Sequence, residues 1–189
     1  MTGRKGLVLI ITGPPGSGKT TVADAVAARH GRAAHVESDC FFRFIISGFV
    51  EPWKPAAQAQ NALVMGVVVE AAAGYANAGY FTIIDGIIIS QHFLQTIYDR
   101  LQVYGLEVAY VVLGASLGTC LDRSIGRASH PLGDREAVKS LWHRFERQSK
   151  PEGHAIETDG LNPWRVADEI VAGLHTRLIL SAEKLASAQ

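Results

Sequence analysis

Residues 7–30, LVLIITGPPGSGKTTVADAVAARH, constrain this chain more than any other stretch. The run Leu7 to Thr12 is long enough for one buried strand, and an alanine-rich amphipathic segment begins at Lys19. A strand and a helix joined by a glycine-rich loop leave the loop amides at the helix N-terminus, where the dipole favours an anion. "GPPGSGKT", Gly13 to Thr20, fits G-x-x-x-x-G-K-[ST] without a mismatch. Its glycines let the backbone wrap tightly, so the amides of Gly16, Ser17, Gly18, Lys19 and Thr20 can turn inward to phosphate oxygens. In this pattern Lys19 reaches the β- and γ-phosphates and the Thr20 hydroxyl ligates Mg²⁺. Pro14 and Pro15 donate nothing but stiffen the approach, and Thr21 is counted with the nucleotide-binding residues.

Short aliphatic runs then alternate with helical patterns. Strands are expected at Leu7–Thr12, Ala34–Glu37, Phe81–Asp85, Glu107–Leu113 and Ala155–Thr158. Helices are expected at Lys19–His30, about 57–78, Gln91–Tyr104, Ser116–Arg127, Arg135–Gln148 and from Pro163 to about Ala182, the last capped by Asn162. This alternation predicts an α/β fold, a parallel sheet with helices on both faces. Ligands in such sheets sit beyond the carboxyl ends of the strands. The residues there are the glycine loop, "ESD" at 37–39, "DG" at 85–86, "GAS" at 114–116 and "TDG" at 158–160, all small or polar.

The 189 residues, 48% apolar, suit one core and one domain spanning 1–189. With 18 basic and 18 acidic residues the formal net charge is zero, so no global field favours nucleic acid or an acidic membrane surface. Two cysteines without a CxxC pair, and seven histidines without ligand-like spacing, argue against a disulfide framework or structural zinc. A reducing cytoplasm is the expected setting. No apolar run approaches the roughly 18 residues of a membrane helix.

With its strand, loop and helix in this order, the chain resembles the P-loop kinases of the nucleoside-monophosphate-kinase fold, which include adenylate, shikimate and gluconate kinases and chloramphenicol phosphotransferase. The resemblance follows the element order along nearly the whole chain. It implies a three-layer α/β/α fold with five parallel strands in order 2-3-1-4-5, ATP with Mg²⁺, and a lid. Asp39, in "HVESDCFFRF", stands where several of these kinases carry an acceptor-binding aspartate. By that resemblance it is the catalytic base, a role compatible with capping a helix. Arg43 is a candidate clamp for an anionic acceptor or a solvated helix-end arginine. Asp85, at the Walker B position, is expected to hold Mg²⁺ through a water or to meet the acceptor. Gln58, Gln60 and Asn61 open an otherwise apolar helix, with Gln60 taken as acceptor-binding; Trp53 in "EPWKP" is expected to pack.

"CLDRSIGR" resembles the R-x-x-x-R of adenylate kinases, its arginines four apart on one helix face. The resemblance implies that Arg123 stacks on the base and Arg127 neutralises charge on the transferring group. "ASHPLGD", about 128–134, would be a short lid, with Arg135 at its far edge. "FERQSKPEGHAIETDGLNP" is similar to the tail of gluconate kinases, where Asp159 and Gly160 would border adenine through their backbone.

The expected activity is ATP-dependent phosphoryl transfer to a small-molecule hydroxyl. Gly86 after Asp85 lacks the glutamate of motor-type ATPases, and neither N-K-x-D nor L-S-G-G-Q is present. The alternatives are a regulatory nucleotide-binding or hydrolysing protein, a nucleoside monophosphate kinase, and a zeta-toxin-like nucleotide-sugar kinase. A monophosphate kinase normally gathers several arginines, and Arg43 is the only one between residues 33 and 99. The acceptor's identity and the oligomeric state are left open.

Overall fold

The computed structural model describes residues 6–89, 91–125 and 134–187. Its centre is a five-stranded sheet in order β2-β3-β1-β4-β5. The strands are β1 (Leu7–Thr12), β2 (Ala33–Glu37), β3 (Phe81–Asp85), β4 (Glu107–Gly114) and β5 (Ala155–Glu157). Every adjacent pair is parallel. Successive side chains of a strand face opposite sides, and β1 shows why its run is aliphatic throughout. Val8 and Ile10 enter one buried cluster with α3 (Gln58–Asn77) and α4 (Gln91–Val103), while Leu7, Leu9 and Ile11 enter another with α1 (Lys19–Ala27) and α7 (Pro163–Gly173). Each such side chain contributes roughly 1.5–3 kcal/mol on full burial.

The register sets the functional end. Ile11 pairs with Asp85, and Asp85 with Glu37, so the last residues of β2 and β3 lie level with the start of the glycine loop. A third, smaller cluster covers the other half of this end, where α5 (Leu117–Ile125) meets α6 (Arg135–Arg147) and Trp142 Nε1 donates to the Ala115 carbonyl at 2.8 Å. Trp53 packs against this cluster, as expected.

Two elements depart from the sequence reading. A five-residue helix, α2 (Ser38–Phe42), follows β2 directly. The last expected helix stops at Gly173 rather than near residue 182, and a short α8 (Ala182–Ser187) ends the described chain. The cause lies in the sheet: β5 pairs only with Val112–Gly114, leaving the earlier half of β4 with an open edge. The returning segment fills it, with Tyr110 N donating to Leu178 O and Leu180 N to Val108 O, both at 2.9 Å. Buried backbone groups need partners, and this demand outweighs the helical pattern. Among the described residues no helix is long and apolar enough to cross a membrane.

Candidate active site

The glycine loop joins β1 to α1 by close backbone approaches. Gly16 has φ 80°, and a Cβ there would stand 2.4 Å from the Cys120 carbonyl oxygen. Gly13 has φ 151°, and its Cβ would lie 2.3 Å from Leu113 O. Any side chain at either position would push the loop away from its support. Below the loop, Thr158 Oγ1 donates to Gly114 O at 2.8 Å and lies 3.1 Å from Ser17 O, tying β5 to the cradle. No side chain caps α1, whose N-cap is Gly18, and its first turn holds no acidic residue. That leaves the end of the helix electrostatically suited to an anion.

Lys19 spans the loop, its Nζ donating to Gly13 O and Pro14 O at 3.1 Å each. Thr20 Oγ1 donates to Asp85 Oδ2 at 2.7 Å, and Asp85 is only 2% exposed. A hydroxyl and a carboxylate side by side form a hard-oxygen donor set. Such a pair fits Mg²⁺, which binds through few protein oxygens and leaves its other positions to water and phosphate. Among the described residues no group of three or more His, Cys, Asp or Glu is placed to hold a metal.

One cavity takes in the loop at Pro15, Gly16, Gly18, Lys19 and Thr20, and also Asp39, Asp85 and Arg123. Arg123 rests on the loop, its Nη1 3.4 Å from Gly16 O, which sets a cation beside the phosphate cradle. Asp39 sits in the first turn of α2 and lines the cavity. Within the loop Ser17 is buried, and Thr21 in α1 is exposed. The Asp159 carboxylate accepts from the Ser116 amide at 3.0 Å; the Ser116 hydrogen bonds hold it below the usual carboxylate range, so this side chain supports the start of α5. Arg127 and residues 128–133 of the expected lid lie outside the described residues; Asp134 caps α6, accepting from Glu136 N at 2.9 Å.

Two expected acceptor residues stand elsewhere. Gln60 bonds the backbone of Val50 twice, accepting from its amide at 2.9 Å and donating to its carbonyl at 2.6 Å, and so clamps the 43–54 loop to α3. Asn61 adds a bond to Pro52 O at 2.7 Å, and Gln58 is exposed. Arg43 is exposed and donates to Cys40 Sγ at 3.0 Å; neither it nor Gln60 is among the residues lining the cavity.

Glu37 and Ser38, placed by sequence at the ligand-binding end of β2 but given no role there, line the cavity, and His35, two residues before Glu37 on β2, has no place in the sequence reading of the site. His35 Nδ1 is 2.9 Å from Asp24 Oδ1, and Nε2 is 3.5 Å from Asp85 Oδ2, beyond hydrogen-bond range. Burial alone would lower the His35 pKa, but the two carboxylates outweigh it and raise it. A sequence signal existed: His35 and Glu37 share a strand face by parity, and Thr20 and Asp24 share a helix face by spacing.

The family model of the AAA domain matches residues 8–151, well over half of the chain. No curated protein matches the sequence. Solved structures of similar fold include the tunicamycin resistance protein of Deinococcus radiodurans, with 20% identity over 94% of this chain and 100% of that one, TM-score 0.67. Another is an APS kinase of Mycobacterium tuberculosis in complex with AMPPNP and APS, with 17% identity over 92% and 100%, TM-score 0.69. A gluconokinase from Sinorhizobium meliloti 1021 has 16% identity over 92% and 94%, TM-score 0.60. The chain belongs to the AAA domain family, on the fold of the P-loop kinases.

Proposed function

We propose that this chain is an ATP-dependent phosphotransferase that moves the γ-phosphate to a hydroxyl of a small molecule. The observation that carries the reading is the 2.7 Å Thr20–Asp85 bond in a cavity that Lys19 and Asp39 also line. The loop amides and the end of α1 bind the phosphates, and Lys19 exchanges its two loop carbonyls for β- and γ-phosphate oxygens. Thr20, and Asp85 through a water, would hold Mg²⁺, which would supply charge neutralisation on the phosphates. Asp39 orients the acceptor hydroxyl and takes its proton late. The acceptor oxygen bonds to the γ-phosphorus, the bond from that phosphorus to the β–γ bridging oxygen breaks, and ADP departs. Because the transition state is loose, an ordinary carboxylate is basic enough. Arg123 adds positive charge beside the loop, and Arg127 is assigned the finger role. The cytoplasm suits a chain whose Cys40 and Cys120 are both free thiols.

Two relatives in fold that bear the names APS kinase and gluconokinase support phosphotransfer as the general activity. The test is transfer from labelled ATP into a metabolite pool, wild type against Asp39→Asn, with nucleotide affinity measured by calorimetry. Asp39→Asn should lose transfer and keep ATP affinity. Loss of affinity in that variant, or transfer at the wild-type rate, would overturn the assignment.

A further inference from the structure

The cavity is lined by three carboxylates, Glu37, Asp39 and Asp85, and by two cations, Lys19 and Arg123. Among the described residues that line the cavity these are the only cations, and both rest against phosphate-loop carbonyls. Residues 33–89, which frame the acceptor side, contain one arginine and one lysine. Lys54 pairs with Glu51 at 2.9 Å, and Arg43 points its guanidinium at Cys40 Sγ. The Cys40 thiol in turn donates to Glu37 Oε2 at 3.4 Å, and burial followed by the Glu37 contact raises its pKa, so it stays a protonated donor.

Asp85 is committed to Thr20, and Asp39 to the reacting hydroxyl. Glu37 has neither duty. It holds the N-cap position of α2 without capping it by its side chain, and it ends β2 level with Asp85. A carboxylate of this kind at the rim of a site accepts hydrogen bonds from hydroxyl or ammonium groups and repels carboxylate, sulfate or phosphate. Resting on the phosphotransferase reading, we infer that the acceptor is a polyhydroxy compound without an anionic group, neutral or amine-bearing, and that Glu37 is its specificity-determining residue. The same carboxylates disfavour a phosphate-bearing acceptor such as a nucleoside monophosphate.

The experiment uses the whole chain with labelled ATP and three acceptor pools. One holds sugars, polyols and nucleosides, one holds amino sugars and aminocyclitols, and one holds sugar phosphates, sugar acids and nucleoside monophosphates. Label entering either of the first two pools, and not the third, supports the inference. Efficient labelling of the third overturns it while leaving phosphotransfer intact. No label in any pool overturns phosphotransfer itself, and this inference with it. With the acceptor in hand, Glu37→Gln keeps side-chain size and removes the charge. It should raise acceptor KM about tenfold, as expected for losing one charge-assisted contact, and leave ATP affinity unchanged. It should also narrow discrimination against a carboxylate-bearing analogue by a similar factor. An unchanged discrimination ratio would overturn the role of Glu37, even if KM rises, because a merely structural residue would weaken both compounds alike.

Discussion

The two sides of the cavity, to which the proposed function assigns nucleotide and acceptor, are built from different materials. The first is mostly backbone: loop amides, the end of α1, and glycines wedged against Leu113 and Cys120 carbonyls. The second is side chains, Glu37, Ser38 and Asp39, at the junction of β2 with a five-residue helix. Beyond that helix the chain exposes Phe44 at 73% and Ile46 at 90%. Backbone recognition needs one geometry and so one residue pattern; side-chain recognition tolerates many. The contrast predicts that damage to the first side abolishes binding and chemistry together, whereas damage to the second separates them.

Lys19→Ala should show the largest effect. Removing a preorganised cation from the transferring phosphate costs roughly 10²–10³ in kcat, and ATP affinity should fall as well, measured by labelled transfer and calorimetry. Asp39→Asn comes next, with transfer reduced about 10²-fold, the lower end for general base catalysis because the proton leaves late. Its ATP affinity should match wild type. If the two variants lost nucleotide affinity equally, the division between the sides would collapse.

The same division explains what could be read without coordinates. The strand pattern located all five strands to within a residue at each end, because buried parallel strands leave little freedom in residue type. The strand order came with the kinase resemblance, and the structure has it. The Walker A match placed Lys19 and Thr20, and the Thr20–Asp85 bond joins two residues that the reading had assigned to one metal. Less was legible where tertiary demands decide. The stop at Gly173 answers an open edge on β4, which no local pattern records. Arg43 and Gln60 lie around a loop, and their partners, Cys40 Sγ and the Val50 backbone, depend on how that loop folds. His35 required three facts at once: strand parity, helix spacing, and the adjacency of β2 to β3.

His35 lies where the two sides meet, so its removal sharpens the comparison at a smaller scale. Its ring lies between Asp24, at 2.9 Å, and Asp85, at 3.5 Å, and a protonated ring would attract the carboxylate that accepts from the Thr20 hydroxyl. Groups that orient a metal-binding side chain typically cost about tenfold or more in metal affinity when removed. His35→Gln should raise the Mg²⁺ concentration that half-saturates ADP binding by about tenfold, read by calorimetry without turnover. Metal-free ADP affinity should change little. An equal loss with and without Mg²⁺ would mean that the ring merely fills space.

The smallest effect is a difference in pH response between the two edges of the sheet. His154, just before β5, is buried with Nδ1 2.9 Å from Tyr110 O, so that nitrogen carries the proton, and Nε2 faces Lys184 Nζ at 3.3 Å. Lys184 also donates to Arg177 O and Ile179 O, holding the returning segment against β4. Burial, with added repulsion from Lys184 and Arg177, lowers the His154 pKa below its ordinary 6.5. The unfolded chain therefore binds more protons between that lowered value and 6.5. Stability from this group is present above 6.5 and is lost as pH falls through the folded value. His35 has the opposite sign: with its pKa raised, its contribution is complete below 6.5 and is lost as pH climbs through the higher folded value. Amide exchange on the metal-free protein should therefore show β5 protection weakening on acidification and β2 protection weakening on alkalinisation, with intrinsic exchange rates corrected for pH. His154→Gln should flatten the first trend and leave the second. Parallel trends at both edges would show that the sheet opens as one unit, and that the division between the two sides of the cavity stops at the site itself.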